Sequence, residues 1–161
     1  MENYLMLNGK RIDLTAEQIE TLVGKKEKDP FERVKKGKNY YAIINNDTVY
    51  EYRDEDTEHD VGCHAVANYC TDRELMEQRA LHETLNRLLW RYSMQNGGKE
   101  IENQLKIAIT YDRLLSKFRV VEMAESICYF GEVYFSSKRV ANAAIEEIVK
   151  PFMEKHPEFR W

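Results

Sequence analysis

The 161-residue chain is poor in the residues that brace or interrupt a fold, with three cysteines, three prolines and seven glycines. Cys63, Cys70 and Cys128 form an odd set with no short paired spacing, which argues against a disulfide framework and for reduced thiols in a cytosol. No apolar run approaches the roughly 18 residues of a membrane helix. The opening MENYLMLNGKRIDL has neither a basic n-region nor a long apolar stretch, so no signal peptide is expected and the location expected is cytoplasmic. There is no basic surplus either: the formal net charge is −4, which disfavours wholesale nucleic-acid binding while leaving room for a local basic patch. Also missing are a Ser/His/Asp grouping, a phosphate-binding glycine loop and a His-Glu-x-x-His pair. The expectation is a protein without catalytic residues, metal or cofactor.

What remains is ordinary for a soluble globular domain. Hydrophobic residues make up 43% of the chain and charged residues 32%, enough for one core and too little chain for two ordinary domains. The segment 4–14 alternates apolar residues around Asn8-Gly9, a pair suited to the positive φ angles of a type I′ turn, and predicts a β-hairpin. Thr15 with Gln18 three residues on predicts a capping box opening a short helix. The charged GKKEKDP at 24–30 reads as a linker. Because a lone hairpin is marginal, residues 1–29 are expected to form an arm that docks on the body or on another copy.

The body, 30–161, predicts an α+β fold: an antiparallel sheet with helices packed on it. Two halves, about 38–98 and 103–155, each read as β-β-β-α. Residues 38–53 and 103–123 each offer two strands, and 67–81 and 131–148 each offer a strand leading into a capped helix. Tyr69 matches Tyr134, Thr71 matches Ser136 and Leu75 matches Val140, all at one offset (134 − 69). Thr71 and Ser136 are the expected caps, since a hydroxyl can accept from a free N–H of the first turn.

The stretch ALHETLNRLLWRYSMQNGG, 80–98, reads as the second half of a long helix stopped by Gly97-Gly98. At about 100° per residue, Leu81, Leu85, Leu88, Leu89 and Tyr92 share a core face. Arg79, Glu83, Asn86 and Trp90 fall opposite, with Arg87, Arg91 and Met94 close by. Trp and Arg anchor interfaces, and they also suit a planar anionic ligand, the indole stacking a base and guanidinium groups meeting phosphate. The same face could instead be covered within the chain or across a homodimer. The candidate binding residues are therefore Arg79, Glu83, Asn86, Arg87, Trp90 and Arg91.

Other clusters are less pointed. Residues 51–70 gather Asp54, Glu55, Asp56, Glu58, His59, Asp60, Cys63, His64 and Cys70. Their spacing fits no zinc or calcium pattern, so a solvated acidic loop is expected, with a role as a negative decoy for a basic groove as the sharper reading. The basic, aromatic RVKKGKNYY at 33–41 keeps open a nucleic-acid-binding regulator, against strand aromatics facing a core. Pro151 should kink or end the last helix, and Phe152, Phe159 and Trp161 suggest that the tail docks on its own body or on a neighbour.

On LNGKRIDLTAEQ, PFERVKKGKNYYAI, VANYCTDRELMEQRALHETLNRLLWRYSMQNGG and VYFSSKRVANAAIEEIVKPFMEKHPEF, the chain resembles a group of small proteins from phages and mobile elements of Clostridia and related Firmicutes. The likeness is thinner over 99–130. It implies an accessory protein that counters host antiviral defence, such as an anti-CRISPR inhibitor of a nuclease or a sponge for a nucleotide signal, often as a homo-oligomer. The expected function is non-enzymatic capture of a nucleotide-type immune signal, by Trp90 stacking and Arg79, Arg87 and Arg91 binding phosphate. The alternatives are a protein–protein inhibitor, a nucleic-acid-binding regulator, and a hydrolase of a signalling nucleotide.

Overall fold

The computed structural model describes residues 4–15, 18, 29–44, 48–98, 105–124 and 131–161. Most of the expected linker (24–28), most of the helix expected after Thr15, the expected turn at 45–47 and Cys128 lie outside these residues.

The fold is α+β, with helices and small antiparallel sheets. β1 (Tyr4–Leu7) and β2 (Lys10–Asp13) form the expected hairpin. Asn8 and Gly9 both take positive φ, 51° and 78°, which lets two residues reverse the chain. The Thr15 capping box is also present: the Gln18 N–H donates to Thr15 Oγ1 at 3.2 Å and the Thr15 N–H to Gln18 Oε1 at 3.0 Å. Tyr4, Met6 and Ile12 stay about half exposed.

β3 (Asn39–Ile44) pairs with β4 (Thr48–Arg53), and β5 (Lys106–Asp112) with β6 (Lys117–Met123). Among the described residues the strands form three separate pairs rather than one continuous sheet. The third strand expected in each half is reduced to a single bridge, Tyr41 to Cys70 and Ile107 to Phe135. α1 (Glu58–Ala65) lies in the stretch expected to be a loop. α2 (Arg73–Gln95) is the long helix, and α3 (Lys138–Ala144) leads through a π turn (Ile145–Val149) into α4 (Lys150–Lys155).

Both helix starts are displaced by one residue from expectation. The caps are Asp72, accepting from the Leu75 N–H, and Ser137, accepting from the Val140 N–H. Thr71 and Ser136 instead donate to the carbonyls of Pro30 and Asn96. The halves keep the same spacing at their caps (137 − 72) but not between their bridged strand residues, Tyr41 and Ile107, which lie one position further apart. They therefore share cap spacing and differ in strand register, and α1 has no counterpart among the described residues of the second half. Pro151 does not end the last helix. It sits in the first turn of α4, just past the π turn, where the Lys150 N–H reaches back to the Ile145 carbonyl and the helical path continues.

α2 carries the core. Leu85 and Leu89 join Ile107, Ile109, Phe135, Ala141, Ala144, Ile145, Val149, Phe152 and Phe159 in the larger cluster, with Leu81, Leu88 and Tyr92 at its edge. The expected core face of this helix is thus in place. Its first half lies against β3 and β4, beside the smaller cluster of Tyr40, Ala42, Cys63 and Tyr69. Gly97 has φ of 86° and closes the helix, and a Cβ on Gly98 would stand 2.3 Å from Ser93 Oγ. The C-terminal tail docks on its own chain. Gln78 bonds the Glu158 carbonyl and the Arg160 N–H, Arg113 bonds the Trp161 carbonyl, and Trp161 meets Phe118 edge-on at 5.1 Å. Among the described residues no helix is long and apolar enough to cross a membrane.

Candidate functional site

Trp90 stands outward from the C-terminal third of α2, 58% exposed. The six residues singled out from the sequence lie along that side of the helix, but their side chains are not equally available. Arg79 Nε donates to Glu83 Oε1 at 2.7 Å and its Nη1 to the carbonyl of Ala67, a residue in the left-handed conformation just past α1 (φ 56°). Arg79 therefore ties the end of α1 to α2. Glu83 also lies 3.7 Å from Arg87 Nη1, so one carboxylate offsets two of the arginines. Asn86 donates to the Gly131 carbonyl at 2.8 Å and pins that loop. Arg87 and Arg91 are exposed on either side of the indole in sequence. The face is thus an outward Trp in a largely self-paired polar surround, rather than an open row of cations.

Between about 40° and 140° round the helix from Trp90, at the usual angular step, the surface opens into a recess of about 420 Å³. From α2 it is lined by His82, Leu85, Asn86 and Leu89, at the spacing of one helix face. Ile109, Gly131, Glu132 and Val133 add a second wall, and Phe135, Phe159 and Trp161 a third. His82 packs on Phe159 with ring centroids 4.7 Å apart. Burial raises the Glu132 carboxyl above its ordinary pKa, and this carboxyl has no hydrogen bond or ion pair among the described residues. Sequence reasoning does not reach this recess, because its walls come from four separated segments.

The acidic stretch 51–70 is not the solvated loop expected. Asp54 is 1% exposed and Asp60 3%. Asp54 accepts from Arg33 Nε at 3.0 Å and Nη2 at 3.1 Å, from the Tyr69 hydroxyl at 2.9 Å and from the Asp56 N–H at 2.9 Å. The Arg33 guanidinium holds its carboxyl below the usual carboxylate range. Asp60 accepts from the Tyr40 hydroxyl at 2.7 Å, from the Thr57 N–H and hydroxyl at 2.9 and 2.7 Å, and from the Glu55 N–H at 3.1 Å. Burial pushes its pKa up, but the Thr57, Tyr40 and Glu55 donors prevail and hold it low. Thr57 and Asp60 together form the capping box that starts α1.

Tyr40 and Tyr69 stack 4.0 Å apart and join these two carboxylates into one buried network. Burial, with the bonds to Asp60 and Asp54, raises both phenols, Tyr69 to about 12. Burial likewise raises the Cys63 and Cys70 thiols. Phenols and thiols so placed stay protonated at neutral pH, and the network holds β3, β4 and α1 together. Of the exposed acids, Asp56 pairs with Arg33, which Asp54 also engages, and Glu55 pairs with Arg53, while Glu58 stands exposed at the start of α1. Among the described residues no three His, Cys, Asp or Glu side chains stand together as a metal site. In the basic stretch, Tyr40 is buried and Lys35, Lys36 and Lys38 are exposed, as a strand and its solvated flank require.

Comparison with protein-family models, with curated proteins and with solved structures finds no match to this chain.

Proposed function

We propose that this chain acts by binding, without turnover, and that the outer face of α2 is its contact surface for a protein partner. The observation that carries this reading is Trp90. A large aromatic ring left 58% exposed on a rigid, capped helix loses little conformational entropy on contact and offers much area to bury. Around it the Arg79–Glu83–Arg87 ladder supplies a polar rim already held in shape. Arg87 and Arg91 favour a partner whose socket for the indole is edged by carboxylates. In the phage or mobile-element setting that the sequence resemblance implies, that partner is a component of host antiviral defence.

Capture of a nucleotide signal is the second reading, supported by Arg87 and Arg91 beside the indole. It ranks lower because Arg79 and Asn86 are spent on the Ala67 and Gly131 carbonyls. A photo-crosslinking amino acid at position 90, with one at the exposed Leu114 as control, tests the choice in defence-expressing cells. A single protein adduct of defined mass at 90 and not at 114 is expected. No adduct at 90 above the control, together with a thermal midpoint raised by cyclic dinucleotides or ADP-ribose, would replace the protein reading with the nucleotide one.

A further inference from the structure

The recess beside α2 combines aromatic walls with one carboxyl group, that of Glu132, which has no partner among the described residues. Phe159 and Trp161 meet at 89°, with centroids 6.1 Å apart, and His82 packs on Phe159 with centroids 4.7 Å apart. Among the described residues no lysine or arginine lines the recess, and Glu132 supplies the only carboxylate. Its volume, about 420 Å³, falls in the range of small-molecule sites. Glu132 is partly buried, and a carboxylate drawn away from water gains from meeting an opposite charge. Aromatic faces attract a cation through their quadrupole, and more strongly where water is excluded.

We propose that this recess binds a small organic cation, an ammonium carried on an apolar body, with the charge against Glu132 and the body against Phe159 and Trp161. An anion is disfavoured by Glu132 itself. A neutral ligand of the same shape gains the walls but leaves the carboxyl unpaired. The site adjoins the Trp90 face at Asn86 but has its own walls and charge, and it goes beyond the binding function proposed for that face, so either can fail alone.

The test is calorimetric titration of the whole chain with three probes of similar size: phenethylammonium, phenylethyl alcohol and phenylacetate. Phenethylammonium should bind about tenfold tighter than the alcohol, and phenylacetate more weakly than both. Glu132→Gln, which keeps the shape and removes the charge, should bring ammonium and alcohol to within about twofold. Equal binding of ammonium and alcohol by the unaltered protein overturns the proposal, with no variant needed. So does binding by none of the three at about 10 mM, or a cation preference that survives in a folded E132Q.

Discussion

Replacing Asp60 by alanine should be among the more damaging single changes in the first half of the fold. Four donors converge on this 3% exposed carboxylate. The Tyr40 hydroxyl belongs to a ring with 0% exposure and would lose its acceptor in a place water does not reach. Leaving such a group unpaired costs about 1–3 kcal/mol. Loss of the capping box at α1 adds about 1 kcal/mol. The sum, about 2–4 kcal/mol, corresponds in a domain of this size to a melting temperature lower by roughly 5–15 °C. Urea unfolding followed by circular dichroism measures it. Tyr40→Phe alone should cost about 1 kcal/mol, since it removes one donor and leaves Asp60 three others. The double variant is the stricter test: with the hydroxyl gone, loss of the carboxylate no longer orphans the buried phenol, so the double loss should fall short of the two single losses together. A D60A loss under about 1 kcal/mol, or simple additivity, would refute the view that these groups act as one unit.

Acid should weaken the fold through the same carboxylates. Asp54 and Asp60 are both held below the ordinary range, so the native state binds fewer protons than the unfolded chain near pH 3–4. Their stabilisation is complete above the unfolded carboxylate pKa of about 4 and drains away as pH falls toward the folded values. A urea midpoint at pH 3 equal to that at pH 6 would contradict this. Gly98→Ala should cost about 1–3 kcal/mol, because the new Cβ meets Ser93 Oγ at 2.3 Å and the Ser93 backbone oxygen at 2.7 Å; thermal melting reads the loss. Trp90→Ala should leave stability within about 0.5 kcal/mol yet weaken partner binding by about 2 kcal/mol or more. Separate melting and affinity measurements must diverge in that way.

What was legible in the sequence was local. Asn8-Gly9, Thr15 with Gln18, and Gly97 each act within a few residues, and each does what its chemistry predicts. The core side of α2 was legible because helical spacing alone sorts Leu85 and Leu89 from Trp90. α1 was hidden because its box pairs Thr57 with Asp60 instead of Glu or Gln, and because the element is held by a buried carboxylate where an apolar stripe would be sought. Pro151 misled for a different reason: a π turn just before it redirects the backbone bonds. At the candidate site the direction of Trp90 could be read, but the commitments of Arg79 and Asn86 could not. Their acceptors are backbone carbonyls 12 and 45 positions away, and a carbonyl leaves no trace in residue identity.

The 23-residue α2 has its first half against one hairpin and Leu85 and Leu89 inside the cluster built by the other. Neither portion of the chain is therefore self-sufficient. A fragment ending at 98 would carry a greasy stripe with nothing to rest on, and one beginning at 105 would lack a wall. The molecule should melt as a single cooperative body, with calorimetric and van't Hoff enthalpies in agreement.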